Sequence, residues 1–347
     1  MKVGVIGCGK VAKGIHIPAL LSIKDIEIAA VCDVNEAEAK RTAKQFSIGG
    51  SYRDLSDMLK REDLDMVDIC TPPHLHASMT IQAIEEDCHV LLEKPMTSSV
   101  KEADDILRAL KNSGVKLCVV HNYLFMPIGI EAMSIVEGGE LGKITGVDVK
   151  FLDKFDSTPF WQKGHWCHSM PGGRFGENIF HPLYLIDKFI NVSDIVAVDA
   201  KKNSGYDWVS IDELRVLLDA QDAMGTISMS GNSPRDVTTV DLYGTKMNLH
   251  LDYEISAVIK HKSQKASLFS TIIDNFGISF KGVAVTASSP FKTMIRKRYI
   301  RSGHYYLIQK FIESIKEDKK PPVTGEEGRK VIALQEKIFD RLKLHTE

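Results

Sequence analysis

The chain has 347 residues, of which 44% are hydrophobic and 26% are charged. These proportions are ordinary for a soluble globular protein, and the length favours two domains. The 44 basic and 46 acidic residues give a formal charge of −2, which argues against a general nucleic-acid binder. No stretch approaches the roughly 18 apolar residues that a membrane span requires, so no membrane partner is expected.

The start of the chain and its cysteines both predict a cytoplasmic protein. The first residues, MKVGVIGCG, enter a buried-strand pattern at once and leave no room for a signal peptide. Cysteines that form no CxxC pair and lie in apolar runs are expected to be reduced and buried. The six cysteines are Cys8, Cys32, Cys70, Cys88, Cys118 and Cys167.

The first third of the chain alternates predicted strands and helices. The strand-like runs are short and rich in Val, Ile and Leu: KVGVIG, IEIAAVCD, MVDICT, HVLLEK and KLCVVHN. Such runs are typical of parallel strands buried on both faces. Between them lie segments of helical period, such as NEAEAKRTAKQF and SVKEADDILRALKNSG. The alternation predicts a doubly wound parallel sheet of the α/β class.

A glycine-rich turn follows the first predicted strand. In GCGKVAKGIHIPAL, Gly7, Gly9 and Ala12 make a GxGxxA pattern that opens a helix. Gly7 permits the tight turn, Gly9 lets a pyrophosphate approach the backbone, and Ala12 keeps the helix close to the strand. Lys10 and Val11 lie at the helix start, which faces the phosphates. The turn predicts dinucleotide binding; a Gly-rich turn that binds nothing is the alternative.

The end of the second predicted strand carries Asp33, where a carboxylate would accept hydrogen bonds from an adenosine ribose. The same charge would repel a 2′-phosphate, and neither Val34 nor Asn35 supplies a compensating cation. The sequence therefore favours NAD over NADP. Lys40 and Arg41, one to two helical turns further on, could soften that preference.

Two later strand ends carry further candidates, because ligands of open α/β sheets lie outside the carboxyl ends of the strands. One end reads CTPPHLHA and the other LEKPMTSS. Lys94 lies at a buried strand end beside Glu93, where it is poorly solvated, so it is a candidate site group. An ordinary loop salt bridge is the alternative.

These motifs together resemble the glucose–fructose oxidoreductase / inositol dehydrogenase / MocA family, as does the closing stretch KKPPVTGEEGRKVIALQEKI. The resemblance implies a Rossmann domain over residues 1–124. It also implies an α+β domain over 125–347 with an open, mostly antiparallel sheet, whose last helix can pack back on the Rossmann domain. The implied activity is hydride transfer between a nicotinamide cofactor and a hydroxyl carbon of a sugar, sugar derivative or cyclitol.

The resemblance assigns roles at the strand ends of the Rossmann domain. By position, Lys94 is the family's catalytic or substrate-anchoring lysine, and Pro95 is its cis-proline. Thr71 and Glu93 border the nicotinamide ribose. Asn122 and Tyr123 close the domain beside the nicotinamide, and Leu124 replaces a frequent arginine, so part of that wall differs. The implied cofactor-binding set is Gly7, Gly9, Lys10, Val11, Ala12, Asp33, Thr71, Pro72, His76, Glu93, Lys94 and Asn122.

The second half of the chain shows consecutive strand-like runs with short turns, which predict a mostly antiparallel sheet. One face of it could form a homodimer or homotetramer contact. An insertion with at least one helix is expected over 265–300. The basic stretch that follows is either a solvated helix face or an anion site for a phosphorylated or nucleotide-linked sugar. Its basic residues are Lys292, Arg296, Lys297, Arg298 and Arg301.

The stretch GGRFGENIFHPLYLID matches the family's second-domain site, a glycine pair, then an aspartate, then a histidine four residues later. His181 maps onto the catalytic histidine, which would act as base, and Glu177 takes the aspartate position and would orient its ring. Lys94 would hold the same substrate oxygen. From spacing alone, His181 is a helix-start histidine bonded to backbone. The helix begins either near Asn178, with Glu177 as a cap-like residue, or at Pro182, with His181 as its N-cap.

The loop FWQKGHWCHSM is dense in aromatic side chains with polar tips, which suit pyranose rings. A metal site at His165 and His168 is disfavoured because HxxH lacks a strong second pair, and a packed loop without ligand contact is the alternative. The predicted substrate set is Lys94, Tyr123, Trp161, His165, Trp166, His168, Asn178 and His181.

Three functions remain open from sequence. The leading hypothesis is an NAD-dependent dehydrogenase of a small carbohydrate or cyclitol. The second is a cofactor-binding regulator or scaffold without chemistry, which the aspartate-to-glutamate departure at Glu177 motivates. The third is NAD-assisted glycoside cleavage.

Overall fold

The computed structural model describes residues 1–155, 157–262 and 303–343. Within these ranges, residues 1–126 and 303–333 form one compact unit, and residues 127–262 and 334–343 form another. The expected insertion at 265–300 and the basic residues Lys292, Arg296, Lys297, Arg298 and Arg301 lie outside the described residues. Both predictions about that region stay predictions.

The first unit contains a six-stranded parallel sheet with the order β3-β2-β1-β4-β5-β6. Its strands are β1 (Lys2–Ile6), β2 (Glu27–Cys32), β3 (Gly50–Tyr52), β4 (Met66–Ile69), β5 (His89–Leu92) and β6 (Leu117–Val119). Strands β2 and β3 lie on one side of β1, and β4, β5 and β6 lie on the other. The strand order therefore reverses between β1 and β4, and folds of this topology bind ligands in the crevice at that point. The predicted doubly wound parallel sheet is confirmed.

Helices connect these strands, and polar caps set where three of them begin. They are α1 (Ile17–Leu21), α2 (Glu36–Phe46), α3 (Leu55–Arg61), α4 (His76–Glu85) and α5 (Val100–Lys111). The side chains of Asn35, Asp54 and Ser99 accept hydrogen bonds from first-turn amides of α2, α3 and α5. A turn of π-helix, Ala12–His16, precedes α1 and turns His16 into the interior, where it is fully buried.

Near the end of the chain, helix α9 (Gly303–Lys316) and the beginning of helix α10 (Gly325–Lys343), up to residue 333, belong to the first unit. The Val119 amide of β6 donates to the Val323 carbonyl at 3.3 Å, just before α10. A Cβ on Gly303 would collide with the Asn122 carbonyl, so only glycine allows α9 to start this close to the end of β6. No helix in the described ranges is both long and apolar enough to cross a membrane.

The second unit contains a sheet with the order β13-β12-β11-β7-β10-β9-β8. The strands are β7 (Ile144–Lys154), β8 (Asp194–Lys201), β9 (Glu213–Ala220), β10 (Ala223–Ser230), β11 (Asn232–Gly244), β12 (Met247–Asp252) and β13 (Ala257–Lys262). The β10–β7 pair is parallel, and the other pairs of these strands are antiparallel. The predicted mostly antiparallel sheet is confirmed.

One face of the second sheet is covered by helices α6 (Pro127–Glu137) and α8 (Phe180–Ile190). Along β7, Val147, Val149 and Phe151 are buried, whereas Asp148 and Lys150 alternate with them and point to the other face. That second face is polar: the Tyr243 hydroxyl donates to Asp148 at 2.9 Å. We call it the open face of the second sheet.

Candidate active site

The glycine-rich turn has the shape that a bound pyrophosphate requires. Gly7 has φ +90°, and a Cβ there would lie 2.8 Å from the Cys70 carbonyl oxygen, so the position excludes other residues. Around Gly9, in contrast, a Cβ would meet nothing within 4 Å, so the outer side of the turn is open. Ala12 is buried beneath it, while Lys10 and Val11 are exposed beside it. The turn thus fits a dinucleotide.

Asp33 lies directly after β2 and is tied to the same turn. Its Oδ2 accepts a hydrogen bond from the Cys8 amide at 2.8 Å, and its Oδ1 accepts one from the Asn35 amide at 2.8 Å. Each carboxylate oxygen keeps a second lone pair, so ribose hydroxyls can still be bound. Asp33 thus lies beside the glycine-rich turn, and its contact with a ribose stays a prediction.

The loop after β4 and the loop after β5 are joined by His76, which is completely buried at the start of α4. Its Nδ1 lies 2.8 Å from the Pro95 carbonyl oxygen and its Nε2 lies 2.8 Å from the Thr71 carbonyl oxygen. Burial lowers the pKa of His76, and its contacts with the Thr71 and Pro95 carbonyl oxygens oppose that effect only in part. Its position supports a role in holding the two loops; with no exposed surface, the ring does not itself reach a ligand. Pro72 is exposed in the first of these loops.

The strand end after β5 confirms the predicted cis peptide, which joins Lys94 to Pro95. The Lys94 amide donates to Glu93 Oε2 at 3.0 Å, and the Lys94 side chain is half-buried. Glu93 itself is buried, and its other oxygen faces two histidines. Asn122 and Tyr123 begin a short 3-10 turn, Asn122–Phe125, after β6, so all the predicted cofactor residues lie in the first unit.

The two histidines beside Glu93 belong to a buried ionic cluster that the sequence analysis missed. His16 Nδ1 lies 3.0 and 2.9 Å from the two oxygens of Asp68, and its Nε2 lies 2.8 Å from Glu93 Oε1. His304 Nε2, from α9, lies 3.5 Å from the same Glu93 oxygen. We call Asp68, His16, Glu93 and His304 the ionic cluster. Asp68 was a usable signal, because a carboxylate inside the apolar run MVDIC needs a buried partner.

The ionic cluster shifts the pKa values of His16 and Glu93 towards their charged forms. Burial opposes protonation of His16, but the charge of Asp68 and its hydrogen bond outweigh burial and raise the His16 pKa well above 6.5. Burial likewise opposes ionisation of Glu93, but hydrogen bonds from His16 and His304 outweigh it and hold the Glu93 pKa well below 4.5. Burial, with Asp68 adding to it, raises the pKa of the neighbouring Cys70 thiol to about 12. The raised pKa of His16 favours an imidazolium beside Glu93.

In the second unit, helix α7 (Gly173–Asn178) and helix α8 meet at Ile179. Because α8 begins at Phe180, Pro182 is its third residue and falls within the turn that needs no internal donors. Of the two predicted starts, the one near Asn178 is closer, and His181 is inside the helix rather than its N-cap. Glu177 is not a cap-like residue either, because it lies within α7.

Glu177 forms an ion pair with Arg174 one helical turn earlier, and Arg174 also lies 3.1 Å from Asp153. The His181 ring stacks on Phe151, with ring centroids 6.1 Å apart, and its Nδ1 lies 2.9 Å from the Tyr184 hydroxyl oxygen. Arg174 was missed from sequence, although a cation three residues before Glu177 is the spacing of a helical ion pair. The predicted orientation of His181 by Glu177 stays a prediction.

The aromatic loop divides into a packed part and an accessible part. Trp161 is 0% exposed and packs edge-on against Phe175, so it is a core residue and offers no face to a sugar. Its predicted substrate contact is therefore wrong for this arrangement. Trp166 is 50% exposed and remains a candidate.

The polar candidates around this loop differ in their partners. His165 Nδ1 accepts from the Cys167 amide at 3.4 Å. His168 has a buried Nε2 for which the described residues provide no hydrogen-bond partner. Asn178 is buried in the last turn of α7.

The ligand sets that could hold a metal, as far as the described residues show, lie elsewhere. They are His16 with Asp68 and Cys70, and His16 with Glu93 and His304; in each set the ligand atoms lie within 4.8 Å of one another. The 2.8 Å between His16 and Glu93 is a hydrogen-bond distance, and a proton between them accounts for it.

Comparison with known proteins identifies a family match at the start of the chain. Residues 1–121 match the Gfo/Idh/MocA family, described as an oxidoreductase family with an NAD-binding Rossmann fold. Over these residues, the match confirms the resemblance drawn from the motifs.

Relatives and solved structures extend the picture. The uncharacterized oxidoreductase YrbE of Bacillus subtilis (strain 168) is 34% identical over 150 residues, which are 42% of this chain and 44% of that protein. D-glucoside 3-dehydrogenase of Escherichia coli (strain K12) is 28% identical over 144 residues, 42% of this chain and 41% of that protein. The chain thus spans less than half the length of these relatives.

A solved structure shares the fold of both units. The WlbA dehydrogenase from Bordetella pertussis, solved with NADH and UDP-GlcNAcA, aligns with a TM-score of 0.78 at 22% identity. The alignment covers 99% of this chain and 96% of that one. It shows that both units, and not only the matched domain, have the architecture of this dehydrogenase.

The ionic cluster makes stability depend on pH. The folded pKa of His16 is raised, so its stabilisation is fully present below about pH 6.5 and is lost as the pH rises through the folded value. The folded pKa of Glu93 is lowered, so its stabilisation is present above about pH 4.3 and is lost as the pH falls through the folded value.

We therefore expect His16→Gln to reduce the free energy of unfolding by about 3–5 kcal/mol near pH 6, because it leaves buried carboxylates without their cation. The reduction in unfolding free energy should be smaller near pH 9, because the contribution of protonated His16 declines as the pH rises. Urea unfolding at pH 6 and at pH 9 measures this difference. His89→Gln is the control, since burial lowers the His89 pKa and its pH trend should not follow that of His16. An equal loss for His16→Gln at both pH values would contradict the assignment.

Proposed function

We propose that the protein is an NAD-dependent oxidoreductase that transfers hydride between the nicotinamide and a hydroxyl carbon of a sugar, sugar derivative or cyclitol. The observation that carries the proposal is the carboxyl edge of the first sheet. There the open turn at Gly9, the carboxylate of Asp33 and the half-buried Lys94 follow neighbouring strands of an NAD-binding domain. A sugar as substrate is supported by a relative named D-glucoside 3-dehydrogenase and by a neighbour solved with UDP-GlcNAcA.

The first unit would bind the cofactor. The backbone of residues 7–12 would hold the pyrophosphate, and Asp33 would accept hydrogen bonds from the adenosine ribose. Residues at the ends of β4, β5 and β6 would border the nicotinamide half: Thr71, Pro72, Glu93 and Asn122. When bound, the nicotinamide supplies the hydride acceptor or donor.

The proton would be handled by His181. Its imidazole would accept the proton of a substrate hydroxyl, and the Tyr184 hydroxyl, 2.9 Å from Nδ1, would orient the ring. The ammonium of Lys94 would bind the same hydroxyl oxygen and stabilise the negative charge that develops on it. Trp166 and His168 would contact the sugar.

A second candidate, the regulator or scaffold, is favoured by one observation. The carboxylate of Glu177, at the place of the family's aspartate, is bound by Arg174 within its own helix. A protein of this kind would bind NADH tightly and show no hydride transfer with free, phosphorylated and nucleotide-linked sugars and inositols.

NAD-assisted glycoside cleavage, the third function considered from sequence, would instead release an aglycone without net formation of NADH. The cytoplasmic location stays a prediction.

Replacing Lys94 or His181 by alanine should lower kcat by about a hundredfold to ten-thousandfold, because each removes a group that acts on the transferred proton or the developing charge. NADH binding should remain. NADH formation at fixed NAD with the sugar panel measures turnover, and NADH fluorescence measures binding. Lys111→Ala and His261→Ala, at exposed positions, serve as controls. Undiminished turnover in both site variants would contradict the proposed mechanism.

The choice of NAD over NADP rests on Asp33 and on how the nearby cations are paired. Lys40 lies 2.6 Å from Glu36, and Arg41 pairs with Glu38. Cations that are already paired with carboxylates attract a 2′-phosphate less strongly. These ion pairs support NAD.

Asp33→Ser should raise the Kd for NADH about tenfold or more, since hydrogen bonds to a charged group are lost. The substitution should also reduce the preference for NADH over NADPH, because it removes the repulsion between the Asp33 carboxylate and the 2′-phosphate of NADPH. Fluorescence titration with both cofactors measures the two constants. Asp65→Ser is the matched control, because Asp65 accepts from the Lys2 amide at the amino-terminal edge of the same sheet. An unchanged cofactor preference in Asp33→Ser would argue against its assigned role.

The open face of the second sheet would form a homodimer or homotetramer contact. Met224 is 52% exposed on it and Tyr243 37%, on either side of Gly146. Met224→Glu should shift sedimentation towards the monomer, because it buries a charge in the contact. Leu21→Glu, at an exposed apolar position of the first unit, is the control. A wild-type monomer would rule the contact out.

A further inference from the structure

The ionic cluster ends on the backbone of Lys94. Asp68 contacts His16, His16 contacts Glu93 Oε1, and the other oxygen of Glu93 accepts the Lys94 amide at 3.0 Å. His304 closes the cluster on the same Glu93 oxygen, and its ring meets that of His16 edge-on at 5.3 Å. A continuous chain of polar contacts therefore leads from inside the first sheet to Lys94.

We propose that the ionic cluster is a positioning device for Lys94. It holds the Glu93 carboxylate against the Lys94 amide, and so fixes the position of the backbone from which the lysine side chain extends. His16, Asp68 and His304 are thereby positioning residues. The inference rests on the proposed function in one respect, which is that Lys94 acts on the substrate oxygen.

The geometry of Glu93 explains why charge is needed. His16 and His304 both engage Oε1, which leaves Oε2 directed at the amide. An ionised carboxylate makes shorter and stronger hydrogen bonds than a neutral one, and two donors on one oxygen restrict its rotation. Asp68 in turn holds the His16 ring from its other nitrogen. Loss of any of these contacts loosens the hydrogen bond between Glu93 and the Lys94 amide.

The backbone is held on the other side of Lys94 as well. His76 contacts the Pro95 carbonyl, the next residue along, and ties it to Thr71. The Lys94 amide and the Pro95 carbonyl thus have separate buried partners. Because the backbone is fixed at two adjacent residues, the Lys94 side chain starts from a fixed position and loses little conformational entropy when it binds a substrate. A group that acts on a reacting oxygen requires such preorganisation.

His304 comes from a distant part of the sequence. It is the second residue of α9, and the preceding Gly303 lies against the Asn122 carbonyl. Its side chain is 13% exposed, whereas that of His16 is fully buried. A substitution at His304 therefore disturbs the core less than one at His16, which makes it the better probe.

The test compares His304→Gln and Glu93→Gln with His89→Gln. His89 is the control because it begins β5, whereas Glu93 follows the other end of that strand, and its Nδ1 accepts from the Lys116 amide. Hydrogen exchange at the Lys94 amide, followed by NMR, needs no substrate. Exchange should become faster by about tenfold or more in Glu93→Gln and His304→Gln, and stay unchanged in His89→Gln.

Kinetics supply the second readout. With NAD and any panel sugar that the wild type oxidises, kcat should fall about tenfold in His304→Gln and up to about a hundredfold in Glu93→Gln. KM and the thermal midpoint in His304→Gln should stay near the wild-type values. A fall in the thermal midpoint with unchanged kcat would show a merely structural role and overturn the proposal.

Two further results are distinguishable. A wild type that oxidises no sugar defeats the proposed function, while the exchange experiment still tests the positioning of Lys94. Unchanged exchange at Lys94 in both variants overturns the positioning device. Turnover that is lost with EDTA and restored by Zn²⁺ would assign His16, Glu93 and His304 to a metal, and would overturn it too.

Discussion

The contact between His16 and Glu93 is the constraint on which the carboxyl edge of the first sheet depends. It joins the helix that follows the glycine-rich turn to the strand end that carries Lys94. A buried imidazolium and a buried carboxylate cannot separate without exposing uncompensated charge to a medium of low polarity. The turn and the lysine therefore cannot move independently.

Sequence predicted those parts of the first unit that depend on local pattern. The runs of Val, Ile and Leu gave the parallel strands because a strand covered on both faces admits few other residues. The glycine at position 7 could also be predicted from the local motif. It is required because its φ angle is positive and because a Cβ there would collide with the Cys70 carbonyl. The ionic cluster could not be predicted from local pattern. The apolar run around Asp68 indicates that this carboxylate needs a buried partner, but its sequence spacing does not identify His304 as a member of the cluster.

The second unit shows where such reasoning fails for a physical reason. An aromatic ring with a polar tip looks the same in sequence whether it covers a sugar or fills a core, and Trp161 does the latter while Trp166 does not. Likewise, a proline limits where a helix begins without fixing it, so the junction at Ile179 was not foreseen. The ion pair between Arg174 and Glu177 has the spacing of a helical pair, but that spacing is informative only once α7 is known to include both residues.

The return of α9 to the first sheet has a consequence for dissecting the chain. A fragment of residues 1–124 would contain every strand of that sheet, yet it would lack His304 and the apolar side chains Leu307 and Phe311, which are fully buried. Its Glu93 would keep only one imidazole partner, and the surface that α9 normally covers would meet water. Cofactor affinity and lysine reactivity measured on such a fragment would thus describe an incomplete edge, and genetic fusions should preserve the C-terminal segment as well as the N-terminal one.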